Sequence, residues 1–145
     1  MFIDKNSIQI RTKNGSFVSM GKYLVEVEYG YNKLWSSDSG RNLAGKMTGT
    51  LVGIFPKLTL HFRKLTRTEL QALTPILDAG IQYVKYYDPY KKATITIETY
   101  TGDWSVSNKG VIRNATKTTA FGNGSDNAYK NEGFSISFIA RSKRT

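Results

Sequence analysis

The stretch Leu58-Thr59-Leu60-His61-Phe62 decides how this chain folds. Its apolar and polar residues alternate, so Leu58, Leu60 and Phe62 share one face of an extended strand while Thr59 and His61 share the other. A period of two is typical of antiparallel sheets that pack one face against a core and leave the other in solvent. The stretch therefore predicts a strand with its apolar face in the core.

The same alternation recurs on both sides of this stretch, at residues 23–29, 94–98 and 134–138. In residues 23–29 the odd-numbered side chains share the apolar face. Thr, Tyr, Ile and Val supply most of these segments, and these residue types favour strands. We predict a mainly β protein, an antiparallel β-sandwich or barrel. The predicted core residues are Leu58, Leu60, Phe62, Leu70, Leu73, Ile95, Ile97, Ile136 and Phe138.

One segment, about residues 66–79, has helical spacing of its apolar residues and predicts one short flanking α-helix. Thr66 followed by Glu69 forms a capping box, in which each side chain bonds the backbone N–H of the other. Gly80 is a natural C-terminal stop. Pro75 lies too deep for the first turn, so we expect a kink there or a second short turn that begins at Thr74.

The connections are rich in Gly, Asn and Ser. Asn14-Gly15 predicts a hairpin turn, residues 36–42 a polar loop, and residues 122–127 the most flexible loop. Residues 111–118 are a weaker strand candidate. Gly49 and Gly53 lie inside a strand-like segment, where glycine indicates a bulge or a close backbone approach.

Composition excludes several classes of protein. The 145 residues fit a single domain, 1–145, with a basic C-terminal tail at 141–145. No apolar run approaches the ~20 residues of a membrane-spanning helix. The chain has no cysteine and one histidine. We expect no catalytic residues, no metal site and no cofactor, and we interpret His61, Glu26 and Glu28 as solvated side chains on strand faces.

The net charge of +10 predicts attraction to polyanions. Its lysines and arginines are spread along the chain, so we expect nucleic acid to bind only weakly or without sequence preference. An alternative is a nucleic-acid-binding β-barrel that uses the aromatic and basic residues 83–92 with the 141–144 cluster. Another is a carbohydrate-binding β-sandwich that stacks sugars on Trp35 and Trp104.

A series of motifs carries a resemblance to a known family. In chain order they are Arg41-Asn42-x-x-Gly45, Lys57-Leu58-x-Leu60-x-Phe62, Leu65-Thr66-x-x-Glu69, Tyr87-Asp88-Pro89, Gly102-Asp103 and Phe134-Ser135-Ile136-Ser137-Phe138-Ile139. Over roughly residues 20–140 this order resembles small minor-tail or baseplate-associated structural proteins of tailed bacteriophages and prophages.

The resemblance implies a β-sandwich like that of tail-tube and distal-tail modules, without catalytic residues. It implies a non-enzymatic subunit, made in the cytoplasm of a host bacterium, that is part of the virion tail. Its expected partners are copies of itself, in a ring such as a hexamer or trimer, and other tail proteins. The predicted interface residues are Trp35, Arg41, Tyr90, Arg141, Lys143 and Arg144.

Overall fold

The structure is a computed structural model that describes residues 4, 6–37, 40–107 and 132–144. The expected loop at 122–127 and the weaker strand at 111–118 lie outside these residues. The strands are β1 (Gln9–Arg11), β2 (Val18–Ser19), β3 (Leu24–Trp35), β4 (Gly40–Arg41), β5 (Met47–Thr48), β6 (Leu51–Phe62), β7 (Gln82–Asp88), β8 (Ala93–Tyr100) and β9 (Phe134–Ala140). The helix α1 spans Arg67–Leu77, and a 3-10 turn at Gly21–Tyr23 leads into β3.

Seven strands form one antiparallel sheet in the order β2-β1-β7-β8-β9-β6-β3. Strands β4 and β5 form a separate two-stranded sheet. Strands β8 and β9 pair only at Thr99 with Ala140 and at Tyr100 with Ile139. The sheet therefore divides at this point into a half that contains β7 and a half that contains β6 and β3.

The two halves fold over each other. The rings of Tyr29 on β3 and Tyr86 on β7 are 5.9 Å apart between centroids, although three strands lie between β7 and β3 in the sheet order. The hydroxyl of Tyr31 donates to Asp88 Oδ1 at 2.9 Å, again joining β3 to β7. The predicted mainly antiparallel β fold with one flanking helix is confirmed.

The core lies between these halves and α1. Of the nine predicted core residues, Leu58, Leu60, Phe62, Leu73, Ile136 and Phe138 are buried, and Leu70, Ile95 and Ile97 pack against them partly buried. Val25 departs from the expected alternation and is 70% exposed. The pairing of β3 with β6 shifts register between Leu24 and Glu26, and this irregularity turns Val25 away from the core.

Helix α1 begins as the sequence predicts. Thr66 Oγ1 accepts from the Glu69 N–H and Glu69 Oε1 accepts from the Thr66 N–H, which is the complete capping box. The helix continues through Pro75 to Leu77 as one element, so no second turn begins at Thr74. Its C-cap is Asp78 in the right-handed helical region, two residues before the predicted stop.

Candidate assembly surface

The longest strands extend beyond the core as an arm, described at residues 33–37 and 40–52. Strand β9 pairs with β6 only from Lys57 to Phe62, so the earlier part of β6 has β3 as its paired strand. The pairing continues past the strands, because the Ser36 N–H donates to the Thr50 carbonyl at 2.8 Å. The arm is thus an antiparallel ribbon of β3 and β6 with a register shift between Leu34 and Trp35, and the separate β4–β5 hairpin lies at its tip.

The tip of the arm has a defined turn. Asn42 Oδ1 accepts from the N–H groups of Ala44 and Lys46, both at 3.0 Å. Gly45 has a φ of +81°, a conformation that glycine adopts without strain. Arg41 Nη1 donates to the Gly45 carbonyl at 2.9 Å. The predicted interface residue Arg41 therefore supports this turn while its side chain stays exposed.

The arm exposes several large apolar side chains. Leu43 at the tip is fully exposed, and Trp35 at the end of β3 is 39% exposed. The other exposed large apolar residues of the arm are Leu34, Met47, Leu51 and Val52. Six large apolar side chains are thus exposed within this short arm.

The basic C-terminal residues pack along the base of the arm. The Arg144 N–H donates to the Ile54 carbonyl at 2.8 Å. The stem of Lys143 covers Gly53, where an added Cβ would lie 2.8 Å from two of its carbons. A side chain rather than a backbone segment makes this approach, and Gly53 borders a register shift of β3 against β6, in keeping with the predicted bulge. Gly49 lies outside the strands, between β5 and β6. Arg141 pairs with Glu98 at 2.5 Å and lines a groove of about 260 Å³ together with Leu34 of the arm.

A C-terminal cluster forms from Tyr31, Asp88, Tyr90 and Arg144. The Arg144 guanidinium lies 3.9 Å above the Tyr90 ring centroid and 5.4 Å from that of Tyr31. Asp88 is 1% exposed and its Oδ1 accepts from the Tyr31 hydroxyl and from the Tyr90 N–H, both at 2.9 Å. The cluster fixes the last described residue of the chain, Arg144, to β3 and to the end of β7.

Burial shapes the electrostatics around this cluster. Partial burial is the largest cause that raises the pKa of the Tyr31 hydroxyl, and the hydrogen bond to Asp88 is the second largest. Burial also raises the pKa of Tyr29 and of Tyr86, with the Asp88 charge as a smaller cause. The raised pKa favours the neutral form of the Tyr31 phenol, which is the form that donates the hydrogen bond to Asp88.

The six predicted interface residues form two groups. Trp35 and Arg41 lie in the arm, while Tyr90, Arg141, Lys143 and Arg144 lie at or beside its base. Spacing along the sequence does not indicate that residue 144 reaches Tyr90 and β6. Their contacts with neighbouring subunits stay a prediction.

The surfaces expected in the two alternative functions are partly covered. As predicted, Tyr83 and Tyr87 lie on one face of β7 while Tyr86 is buried on the other. The Arg11 guanidinium stacks on the Tyr83 ring, 4.1 Å from its centroid, which covers a face that a base would need. Trp104 Nε1 donates to Asp78 Oδ1 at 2.8 Å, and its ring packs near Phe134 rather than standing free.

Among the described residues, one group of side chains of types that can bind a metal ion lies apart from the arm. Glu26, Glu28 and His61 bring one ligand atom each to within 4.8 Å of one another. The pairing of β3 with β6, rather than the sequence spacing, places His61 beside the glutamates.

In the part of the chain that the structure describes, no helix is long and apolar enough to cross a membrane.

Comparison with known proteins supplies a fold neighbour. No protein-family model matches the sequence, and no curated protein matches it. The fold is similar to a chain in the tail of an empty GTA particle determined with C6 symmetry, with a TM-score of 0.53 and 9% sequence identity. This similarity covers 97% of the present chain and 96% of that chain.

A second solved structure has a weaker similarity. It is a chain in the phage p2 baseplate in its activated conformation, with a TM-score of 0.43 and 12% identity, covering 94% of the present chain but 44% of that chain. The resemblance to phage tail proteins is confirmed at the level of the fold, by the full-length similarity to the GTA tail chain.

Proposed function

We propose that this chain is a non-enzymatic structural subunit of a bacteriophage-type tail, in the tail tube, the distal tail or the baseplate. It assembles with copies of itself into a ring and binds neighbouring virion proteins. Its place is the virion tail, after synthesis in the cytoplasm of a host bacterium.

The fold similarity supports a ring. The tail chain that the fold resembles is matched from end to end, so the similarity is not confined to a common sub-motif. That tail has C6 symmetry, and we therefore favour a hexamer over a trimer. A ring arises when one surface of each subunit binds a different surface of the next subunit and the rotation closes.

The arm is the observation that carries the proposal. An isolated two-stranded ribbon is only marginally stable in water, and this one exposes Trp35 and Leu43 in addition to its backbone edges. Burial of these side chains against a neighbouring subunit removes that apolar surface from water. Trp and Arg residues commonly supply most of the energy of an interface, so we assign Trp35 and Arg41 as anchors.

The positive charge fits a structural role in which nucleic acid is a minor partner. Several of the basic groups are paired within the chain, as in Arg63 with Glu69 and Arg141 with Glu98. Arg144 is stacked on Tyr90. We expect only weak, salt-sensitive and non-specific attraction to nucleic acid.

Measurement of native mass tests the proposal. Light scattering after gel filtration, with electron microscopy of the same fractions, should show a closed oligomer of the wild-type chain. Val52→Asp places a charge in the arm and should raise the dissociation constant of the subunit contact tenfold or more. A tenfold rise corresponds to a loss of about 1.4 kcal/mol of binding free energy. The matched control is Val25→Asp, at a more exposed valine in the same hairpin but outside the arm.

The two variants separate the possible results. Loss of the oligomer in Val52→Asp alone supports the arm as the subunit contact. Equal loss in both variants, or a wild-type chain that stays monomeric at every concentration, contradicts self-assembly through the arm. Binding of DNA with a sub-micromolar dissociation constant, and with an affinity that falls steeply as salt is added, would favour the nucleic-acid alternative instead.

A further inference from the structure

Three side chains that can bind a metal ion meet on the outer face of the β3–β6 hairpin. Glu26 and Glu28 lie two positions apart on β3, and His61 on β6 is the cross-strand partner of Glu26. His61 Nε2 lies 3.0 Å from Glu28 Oε1. We propose that this Glu26–Glu28–His61 cluster binds a divalent transition-metal ion of the Zn²⁺ class, independently of the proposed role in a tail.

The donor set selects the type of ion. One imidazole nitrogen with two carboxylates suits Zn²⁺ and its first-row neighbours, whereas Mg²⁺ and Ca²⁺ prefer oxygen ligands alone. The three ligand atoms lie within 4.8 Å of one another. Ligands of a tetrahedral Zn²⁺ site lie about 3.3 Å apart, given bonds of about 2.0–2.1 Å. Both glutamates are exposed, so rotation of their side chains closes this difference.

The charges of the cluster favour a cation. Two carboxylates lie side by side, and among the described residues Glu26 takes part in no ion pair. A divalent ion between them relieves their mutual repulsion. The chain carries a net charge of +10, but salt screens the interaction between exposed charges more than about 8 Å apart at physiological ionic strength.

The backbone holds the ligands in place on one side and leaves the other side open. Strand β9 pairs with the other edge of β6, where Thr59 Oγ1 and Ser137 Oγ are 3.0 Å apart, and so fixes β6 within the sheet. Strand β3 is the edge of the seven-stranded sheet. Three protein ligands leave a fourth position for water or another donor. A bound ion would tie β3 to β6 and so stabilise the folded chain.

The composition makes the site easy to test. The chain has one histidine and no cysteine, so His61 is the single imidazole that can bind Zn²⁺ and no thiolate competes. Tag-free protein titrated calorimetrically with ZnCl₂ at neutral pH should bind one equivalent, while MgCl₂ should give no saturable binding. His61→Ala, Glu28→Gln and Glu26→Gln should each weaken Zn²⁺ affinity about tenfold or more, since even second-shell losses cost 10–100-fold.

Asp103→Asn is the matched control, because it removes one exposed carboxylate outside the cluster and should leave Zn²⁺ affinity unchanged. Amide NMR of the wild-type chain gives a second measurement that needs no variant. Zn²⁺ should shift the signals of residues 26, 28 and 61 first. Absence of saturable Zn²⁺ binding, shifts confined to another region, or wild-type affinity in His61→Ala would overturn the proposal.

Discussion

The two ends of strands β3 and β6 differ sharply although the same pair of strands forms both. From residue 56 to 62, every second side chain of β6 is buried, whereas none is buried from residue 51 to 55. The buried part pairs with β9 as well as β3 and packs in the core. Pairing with a neighbour is thus enough to form the strands, while burial requires a further layer that covers them.

Truncation of one leucine at each end should show this contrast most strongly. Leu60 is fully buried and Leu34 is 49% exposed. Leu60→Ala should lower the free energy of unfolding by about 2–5 kcal/mol, because it removes apolar contacts and leaves a cavity. Leu34→Ala should change it by no more than about 0.5 kcal/mol. Urea unfolding followed by circular dichroism measures both under conditions where the chain is monomeric.

Equal losses in the two variants would contradict the division into arm and core. A large loss of unfolding free energy for Leu34→Ala that appears only at high protein concentration would instead support this division. That result would place Leu34 in a subunit contact, since association stabilises the folded state more as the protein concentration rises.

The core half was predictable from the sequence because its signals are local. The period of two in residues 58–62 placed three side chains in the core, and Thr66 with Glu69 marked the start of α1. Each signal needs only a few consecutive residues. The exposure of Val25 was not predictable, since it follows from a register shift between two strands that are far apart in sequence.

The arm and the C-terminal cluster were not predictable for a related reason. The residues 36–42 have the composition of a polar loop, yet residues 40 and 41 form β4 in the hairpin at the tip. Arg144 has the context of a solvated tail, yet it stacks on Tyr90. The contact of Arg144 with Tyr90 joins residues more than 40 positions apart, and β4 forms by pairing with β5. Composition carries no information about either contact.

The C-terminal cluster holds β3 at the point where this strand leaves the core. The variant Tyr31→Phe tests this role. The variant removes the hydroxyl that donates to the buried Asp88 and keeps the ring beneath Arg144. Hydrogen bonds to charged groups contribute about 1.5–3 kcal/mol. We expect a loss near the lower end, about 1.5 kcal/mol, because the Tyr90 N–H still donates to Asp88.

Tyr87→Phe is the control for Tyr31→Phe, because Tyr87 lies on the exposed face of β7. It should stay within about 0.5 kcal/mol of the wild-type free energy of unfolding. If the two variants lose the same amount, the hydrogen bond to Asp88 does not hold β3 against β7.

The smallest expected effect concerns the start of α1 and depends on pH. The Arg63 guanidinium, 2.6 Å from Glu69 Oε2, is the main cause that lowers the pKa of Glu69 from 4.5 to about 2. Because folding depresses this pKa, the stabilisation is present above pH 4.5 and is lost as the pH falls toward 2. Glu69→Gln removes the charge and keeps a side chain that can complete the capping box.

Arg63 is 38% exposed, so solvent screens the ion pair and we expect Glu69→Gln to cost only about 1 kcal/mol near pH 6. Urea unfolding from pH 6 to 2.5 should show the wild-type and variant curves converging. The control Glu98→Gln breaks a more exposed pair and should stay within about 0.5 kcal/mol of wild type throughout. A constant difference between wild type and Glu69→Gln at every pH would contradict the assignment of this stabilisation to the charge of Glu69.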